Sequence, residues 1–200
     1  MVSLVNSAWR LAQEAIYIHG AVQKAAELAS LIQMIRRRSC SNRVLEIGTQ
    51  EGGTLWTWMQ LASDDATIVS VDIDQSRNVL RRGRKQQKVY FIEGDSHDLA
   101  TQAQVHNRLG GKVDLLFIDG DHTYGGVLED YMVFSCMVRP RGMIVLHDIA
   151  PSYHPKSHVD KFWTEIKTPS ASEYIDPNPV TIRGDVVLPA ASCGIGVLFC

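Results

Sequence analysis

Apolar positions recur along this chain in two rhythms. Ala8, Leu11, Ala12, Ala15 and Ile16 fall at i, i+3, i+4, i+7 and i+8, which places them on one face of a helix. Leu28, Leu31, Ile32 and Ile35 repeat the pattern, and Arg36, Arg37 and Arg38 follow where cations suit the C-terminal end of a second helix. From residue 43 the rhythm changes to short, near-continuous apolar runs at 43–47, 67–73, 89–94, 113–119 and 143–148. Helices are predicted between them, over 53–62, 75–85, 97–108 and 125–137. Apolar strands bounded by helices describe a mostly parallel sheet covered on both faces. Right-handed crossovers make it a doubly wound α/β fold with an N-terminal helical extension. Beyond residue 150 the pattern loosens. Residues 158–166 read as a helix, the Pro/Ser-rich stretch 168–179 as a loop, and 194–199 as a closing strand. No repeat or linker interrupts the chain, so 1–200 read as one domain.

Composition acts by exclusion. An apolar content of 45% suffices for a real core. The net charge of −2, from 20 basic and 22 acidic residues, argues against a nucleic-acid partner. Arg81, Arg82, Arg84, Lys85 and Lys88 form the one dense basic cluster and read as a solvated helix face. Cys40, Cys136, Cys193 and Cys200 are widely separated and make no Cys-x-x-Cys pair, so neither a redox motif nor cysteine-based metal spacing is expected. Asn6, Arg10, Gln13 and Glu14 interrupt the first apolar stretch, and no run approaches membrane-spanning length. The expectation is a cytoplasmic protein without a membrane partner.

The chemistry gathers at the strand ends, where open α/β sheets bind their ligands. Glu46 and Gly48 follow the first strand, Asp72 and Asp74 the second, and Asp95 and Ser96 the third. Asp119, Asp121 and His122 follow the fourth, and His147 and Asp148 the fifth. Capping explains one acidic strand end, but not five. The loop Gly48-x-x-x-Gly52-Gly53 lacks both the G-x-G-x-x-G fingerprint and a Walker lysine, and Glu46 and Glu51 would repel a diphosphate. Bare backbone beside carboxylates suits a neutral or cationic ligand, and Asp72 stands where an acidic side chain accepts ribose hydroxyls. A ribonucleoside with a positive centre fits, and S-adenosylmethionine is such a molecule.

At this point the chain resembles the class I S-adenosylmethionine-dependent methyltransferases. VLEIGTQEGGT (44–54), VSVDID (69–74), IEGDS (92–96) and LLFIDGDHTYGGVLEDY (115–131) are similar to their successive motifs. VRPRGMIVLHDI (138–149) resembles the next, with Arg141 in place of a glycine. IDGDHTY, HDI and FW-x-EI together resemble the cephalosporin-hydroxylase-like and macrolide or sugar O-methyltransferases. The resemblance implies a Rossmann-like sheet, with 1–40 as a helical extension, 41–150 as the cofactor-binding core and 151–200 on the acceptor side. It implies cofactor contacts at Glu46, Gly48, Gly52, Gly53, Thr54, Asp72, Asp95, Ser96 and Asp119, with Glu46 near the methionine amino group. Asp95 and Ser96 otherwise read as helix caps.

Asp119 and Asp148 end adjacent strands, and converging carboxylates call for a cation or a proton between them. In the metal-dependent relatives two acidic residues stand at the positions of His147 and Asp148. The metal reading therefore takes Asp119, His147 and Asp148 as ligands of Mg²⁺ or another divalent ion, or of none. His122 matches the relatives' general base, with His147 as its rival and Asp119 beside both. Tyr124 and Asp130 read as cap and surface positions, Trp163 as core, and His154 and His158 as loop residues beside the pocket. The expected activity is O-methylation of a small hydroxylated acceptor, a sugar or glycosylated secondary metabolite. A nicotinamide-dependent oxidoreductase and a non-catalytic nucleoside-binding module are the alternatives. The two N-terminal helices could supply a homodimer face.

Overall fold

The computed structural model describes residues 2–38, 42–78, 80, 83–151, 155–184 and 186–200, with side chains from Ser7 onward. Cys40, Arg81, Arg82 and His154 lie outside the described residues. Helices α1 (Val2–Tyr17) and α2 (Ala25–Arg38) precede strand β1 (Arg43–Ile47). There follow α3 (Gly53–Leu61), β2 (Thr67–Asp72), β3 (Lys88–Glu93), α4 (Leu99–Leu109), β4 (Val113–Ile118), α5 (Tyr124–Phe134) and β5 (Val138–His147). The chain ends with α6 (Val159–Ile166), β6 (Ser172–Tyr174), β7 (Val180–Ile182), β8 (Val186–Leu188) and β9 (Ile195–Phe199).

The main sheet runs β3-β2-β1-β4-β5-β9-β6, with β1 to β5 parallel and β9 antiparallel to both β5 and β6. Its pleat divides the core into two layers. Val44, Ile68, Leu115, Phe117, Met143 and Val145 face one side, against Leu55, Trp58 and Met59 of α3 and the apolar stripes of α1 and α2. Leu45, Val69, Leu116, Ile118, Ile144 and Leu146 face the other, against α4, α5 and α6. Successive residues of one strand thus fill opposite layers, as a period of two requires. This is the doubly wound, Rossmann-like arrangement the sequence predicts. The stripe of α1 at Ala8, Ala12, Ala15 and Ile16 is fully buried within the chain, while Trp9, Tyr17 and Ile18 are exposed.

Three expectations need correction. Among the described residues of 75–85, the expected helix is reduced to a single 3₁₀ turn, Gln75–Arg77; residues 79, 81 and 82 of that expectation lie outside the described residues. The Asp74 side chain caps its start through the Ser76 N–H, and Asn78 has already returned to extended backbone. The stretch 168–179 is not all loop, since β6 pairs with β9 there. Asp130 is no surface residue, being wholly buried on α5.

Candidate active site

Strand order reverses at β1, which has β2 on one side and β4 on the other, so their carboxyl ends open a crevice. The crevice is a cavity of ≈ 800 Å³, within the range of small-ligand sites. Gly48, Gly53, Thr54, Asp72, Asp95 and Ser96 line one part of it, and Asp119, His122, His147 and Asp148 another. Glycine is required at the floor. Gly48 has φ 92°, and a Cβ there would stand 2.0 Å from the Asp119 carbonyl oxygen.

In the first part, Asp72 Oδ2 accepts the N–H groups of Thr49 and Gln50, each at 2.8 Å, and Oδ1 accepts the Asp74 N–H at 3.0 Å. The carboxylate thereby ties β2 to the glycine loop. Asp95 Oδ1 accepts the His97 N–H at 2.9 Å, and Asp98 rather than Asp95 or Ser96 stands at the N-cap of α4. Two expected cofactor residues lie elsewhere. Gly52, with φ 91°, is the N-cap of α3 and turns towards Asn78 and Leu80, not onto the cavity wall. Glu46 is fully buried behind that wall, accepting from Trp58 Nε1 at 2.8 Å and Ser70 Oγ at 2.5 Å. Burial pushes its carboxyl up to about 7, against the pull of those donors. Glu51 is ion-paired with Arg183 at 2.7 Å. Repulsion of a diphosphate therefore falls to Asp72 and Asp95, not to Glu46 and Glu51.

The other part is a knot of two carboxylates and two imidazoles. His122 Nε2 lies 3.2 Å from Asp119 Oδ1, and its Nδ1 lies 3.2 Å from Asp148 Oδ2. His147 Nδ1 lies 3.1 Å from Asp119 Oδ1 and 3.4 Å from Asp148 Oδ1. Burial alone would raise the Asp119 carboxyl, but the two imidazoles outweigh it and hold it well below the usual carboxylate range. The hydrogen bond to Asp119 raises His122, and its charge with that of Asp148 carries His147 upward against burial. His122 is thus oriented by Asp119 and Asp148. Asp121 accepts the Thr123 N–H at 2.8 Å. His158 adjoins the site through its N–H, which donates to the His122 carbonyl at 2.8 Å. Trp163 is core, as expected.

Residues distant in sequence complete the wall. Gln23, before α2, is almost wholly buried and donates from Nε2 to Asp119 Oδ2 at 3.2 Å. Lys24 Nζ donates to the carbonyls of Asp176, Asn178 and Pro189, at 3.0, 2.9 and 2.8 Å. Glu27 accepts the N–H groups of Asp176 and Gly194. These buried charges fasten Asp176, Asn178, Pro189 and Gly194, and Leu188, Pro189, Ser192 and Cys193 line the cavity. No local motif marks Gln23, Lys24 or Glu27. A charged pair inside an otherwise apolar stretch is the one signal they give.

Beside the Asp95 edge, burial pushes Asp130 up to about 6, with Ser96 and His97 pulling down and Asp121 and Asp95 adding to the rise. His97 Nε2 is 3.4 Å from its Oδ1. A carboxyl raised on folding contributes stability that is complete below its unfolded pKa of about 3.9 and lost as pH rises through its folded value. Asp130→Asn, which stays neutral, is therefore expected to stabilise the protein at pH 7–8 by on the order of 2 kcal/mol, and not at pH 4. Denaturant titrations at the two pH values check this. Equal effects at both would show that Asp130 does not ionise on this scale.

Among solved structures, the chain is similar to the MycE methyltransferase of the mycinamycin biosynthetic pathway, solved with Mg, SAH and mycinamycin VI. The identity is 23% and the TM-score 0.55, over 74% of this chain and 40% of that one. It is also similar to the O-methyltransferase TomG of Streptomyces achromogenes, solved with SAM, at 16% identity and TM-score 0.62 over 96% and 89% of the two chains. At such identities the likeness establishes the fold. A curated relative, the uncharacterized protein R132 of Acanthamoeba polyphaga mimivirus, is 32% identical over 111 residues, 52% of this chain. The chain spans about half the length of that relative, 50%. The family described as "Methyltransferase domain" matches residues 45–149, from within β1 to the turn after β5. That span holds the carboxyl ends of β1 to β5 and exceeds half of the chain: the chain belongs to the methyltransferase domain family.

Proposed function

We propose that this protein transfers a methyl group from S-adenosylmethionine to a hydroxyl oxygen of a small acceptor, such as a sugar or a glycosylated metabolite. One observation carries the reading: the glycine-floored crevice with Asp72 and the imidazole–carboxylate knot share a single cavity. A nucleoside held by Gly48, Asp72, Asp95 and Ser96 puts its sulfonium towards Asp119 and His122. Negative side chains favour that cation, whereas a dinucleotide's phosphates would meet them unfavourably, which counts against the nicotinamide reading. In the transfer, the acceptor oxygen attacks the methyl carbon in line with the breaking carbon–sulfur bond. S-adenosylhomocysteine leaves, and the acceptor's proton passes to His122. Both His122 nitrogens face carboxylates, so the imidazole turns from one of them to meet the acceptor.

The neighbour MycE was solved with Mg. Here the fit to a divalent metal rests on two converging carboxylates and on His147 Nε2, which is buried without a hydrogen-bond partner among the described residues. Asp119, His147 and Asp148 would hold the ion, which when bound would help align the acceptor oxygen and favour loss of its proton. We assign residues 1–40 to a supporting extension, 41–150 to the cofactor core and 151–200 to the acceptor side of one unit. Among the described residues, no helix is long and apolar enough to cross a membrane.

S-adenosylhomocysteine should bind the protein and NAD should not. Asp72→Ala should weaken the S-adenosylhomocysteine complex by ~1–3 kcal/mol, the scale of hydrogen bonds to a charged group. Calorimetry decides both, and tight NAD binding with no heat from S-adenosylhomocysteine would sink the proposal. Incubation with S-adenosylmethionine and a pool of hydroxylated metabolites, read as mass gains of one methyl group, identifies the acceptor. A protein that binds the cofactor but methylates nothing would be the nucleoside-binding module.

A further inference from the structure

We propose that Cys193 is a metal ligand, forming with His147 and Asp148 a site that selects a borderline transition metal of the zinc, cobalt or ferrous class over Mg²⁺. The inference rests on the reading that this cavity holds a divalent ion, and is independent of the methyl transfer. One ligand atom each from His147, Asp148 and Cys193 lies within 4.8 Å of the other two. His147 is only 5% exposed, and its Nε2 has no hydrogen-bond partner among the described residues. An unsatisfied buried nitrogen carries a desolvation penalty that a bound cation removes. The opposite nitrogen, Nδ1, is held by Asp119 at 3.1 Å and has Asp148 Oδ1 at 3.4 Å. A carboxylate on one imidazole nitrogen, with the other left free, is how proteins orient a metal-binding histidine. In this site Asp119 positions His147, whereas in the Mg²⁺ reading it is itself a ligand.

The fold fixes Cys193 in place. His147 ends β5 opposite Ile195 of β9, two residues beyond Cys193. Asp148 and Cys193 both take left-handed backbone, φ 58° and 65°, a conformation that persists in non-glycine residues where the surroundings enforce it. The enforcement is visible. The Ala150 N–H donates to the Cys193 carbonyl at 2.8 Å, Glu27 Oε2 accepts the Gly194 N–H at 3.1 Å, and Lys24 holds the Pro189 carbonyl.

The donor types decide the metal. Thiolate and imidazole suit zinc and its neighbours, whereas Mg²⁺ takes oxygen ligands in strict octahedral geometry. This set offers one oxygen-bearing side chain. The neighbouring group Asp119, His122 and Asp148 offers two carboxylates and suits a harder ion, so the two sites are separable by their ligands.

Full-length protein stripped by chelator and loaded with Co²⁺ tests the proposal. A sulfur-to-cobalt charge-transfer band should appear in the near ultraviolet at one bound cobalt per chain and survive excess Mg²⁺. Cys193→Ser should abolish the band and weaken Zn²⁺ binding by more than the roughly 10–100-fold that loss of an outer-shell partner costs. Bound cobalt without the band, displacement by Mg²⁺, or no cobalt binding would each overturn the assignment. Should Cys193→Ser not fold, alkylation of the wild-type protein decides. Zn²⁺ should shield Cys193 while exposed Cys136 still reacts, and equal modification with and without Zn²⁺ refutes the ligand. Calorimetry with S-adenosylhomocysteine on the metal-free protein stands apart. Failure there removes the methyl-transfer reading, and an intact cobalt band still leaves Cys193 a ligand.

Discussion

Replacing His122 with alanine is expected to lower turnover by roughly 10²–10⁴-fold, the usual contribution of a positioned general base, while S-adenosylhomocysteine affinity stays nearly unchanged. An alcohol is a weak nucleophile at neutral pH, and the attack on the methyl carbon needs its proton removed. Two imidazoles could take it. The His122 side chain is 42% exposed and that of His147 only 5%, so an acceptor entering the cavity meets His122 first. His122→Ala also relieves no buried charge, because Asp119 keeps its contact with His147. His147→Ala is the control. It opens a hole behind the cavity and leaves Asp119 and Asp148 to His122 alone, so its cost should appear as lost stability as well as lost rate. A His122→Ala protein that folds, binds cofactor and turns over normally would hand the role of base to His147.

The sheet and half of the site were legible for the same reason. Strands covered on both faces need apolar residues at nearly every position, so β1, β2, β4 and β5 stand out as runs, and the polar residue ending each run marks the edge where ligands bind. Glu46 defeats that shortcut. It sits inside β1, one residue before the strand's end, so the pleat turns it into the layer containing Trp58 rather than towards the crevice. The short strands β6 to β8 carry too few residues for a period. The β7–β8 hairpin still had a signal in Gly184, a turn residue between two runs of branched residues, and it takes positive φ. Gln23 and Cys193 were illegible in a stronger sense. Gln23 meets Asp119 across 96 residues of sequence, and Cys193 reaches His147 only because β9 runs antiparallel to β5. Contacts made by topology leave no local pattern.

Gly48→Ala is expected to destabilise the protein by about 2–5 kcal/mol, combining a left-handed backbone that alanine resists with a steric clash. The Gly48 N–H donates to the Val71 carbonyl at 2.8 Å, so β2 fixes the loop from one side. On the other side the Asp119 N–H donates to the Ile47 carbonyl at 2.8 Å, which leaves the Asp119 carbonyl no room to retreat. A methyl group placed 2.0 Å from that oxygen must push apart the ends of β1 and β4, where Asp119 holds both imidazoles. Gly110→Ala isolates the backbone part. Gly110 caps α4 with φ 63°, and a Cβ there meets nothing within 4 Å, so its cost should be only about 1 kcal/mol. At about 2–4 °C per kcal/mol for a chain of this size, Gly48→Ala should melt clearly below Gly110→Ala. The surviving folded protein should also lose affinity for S-adenosylhomocysteine, which Gly110→Ala keeps. Matching melting temperatures in the two variants would mean that the β1 and β4 ends yield at no cost, and that Gly48 is present for its turn rather than for the close approach of the two strands.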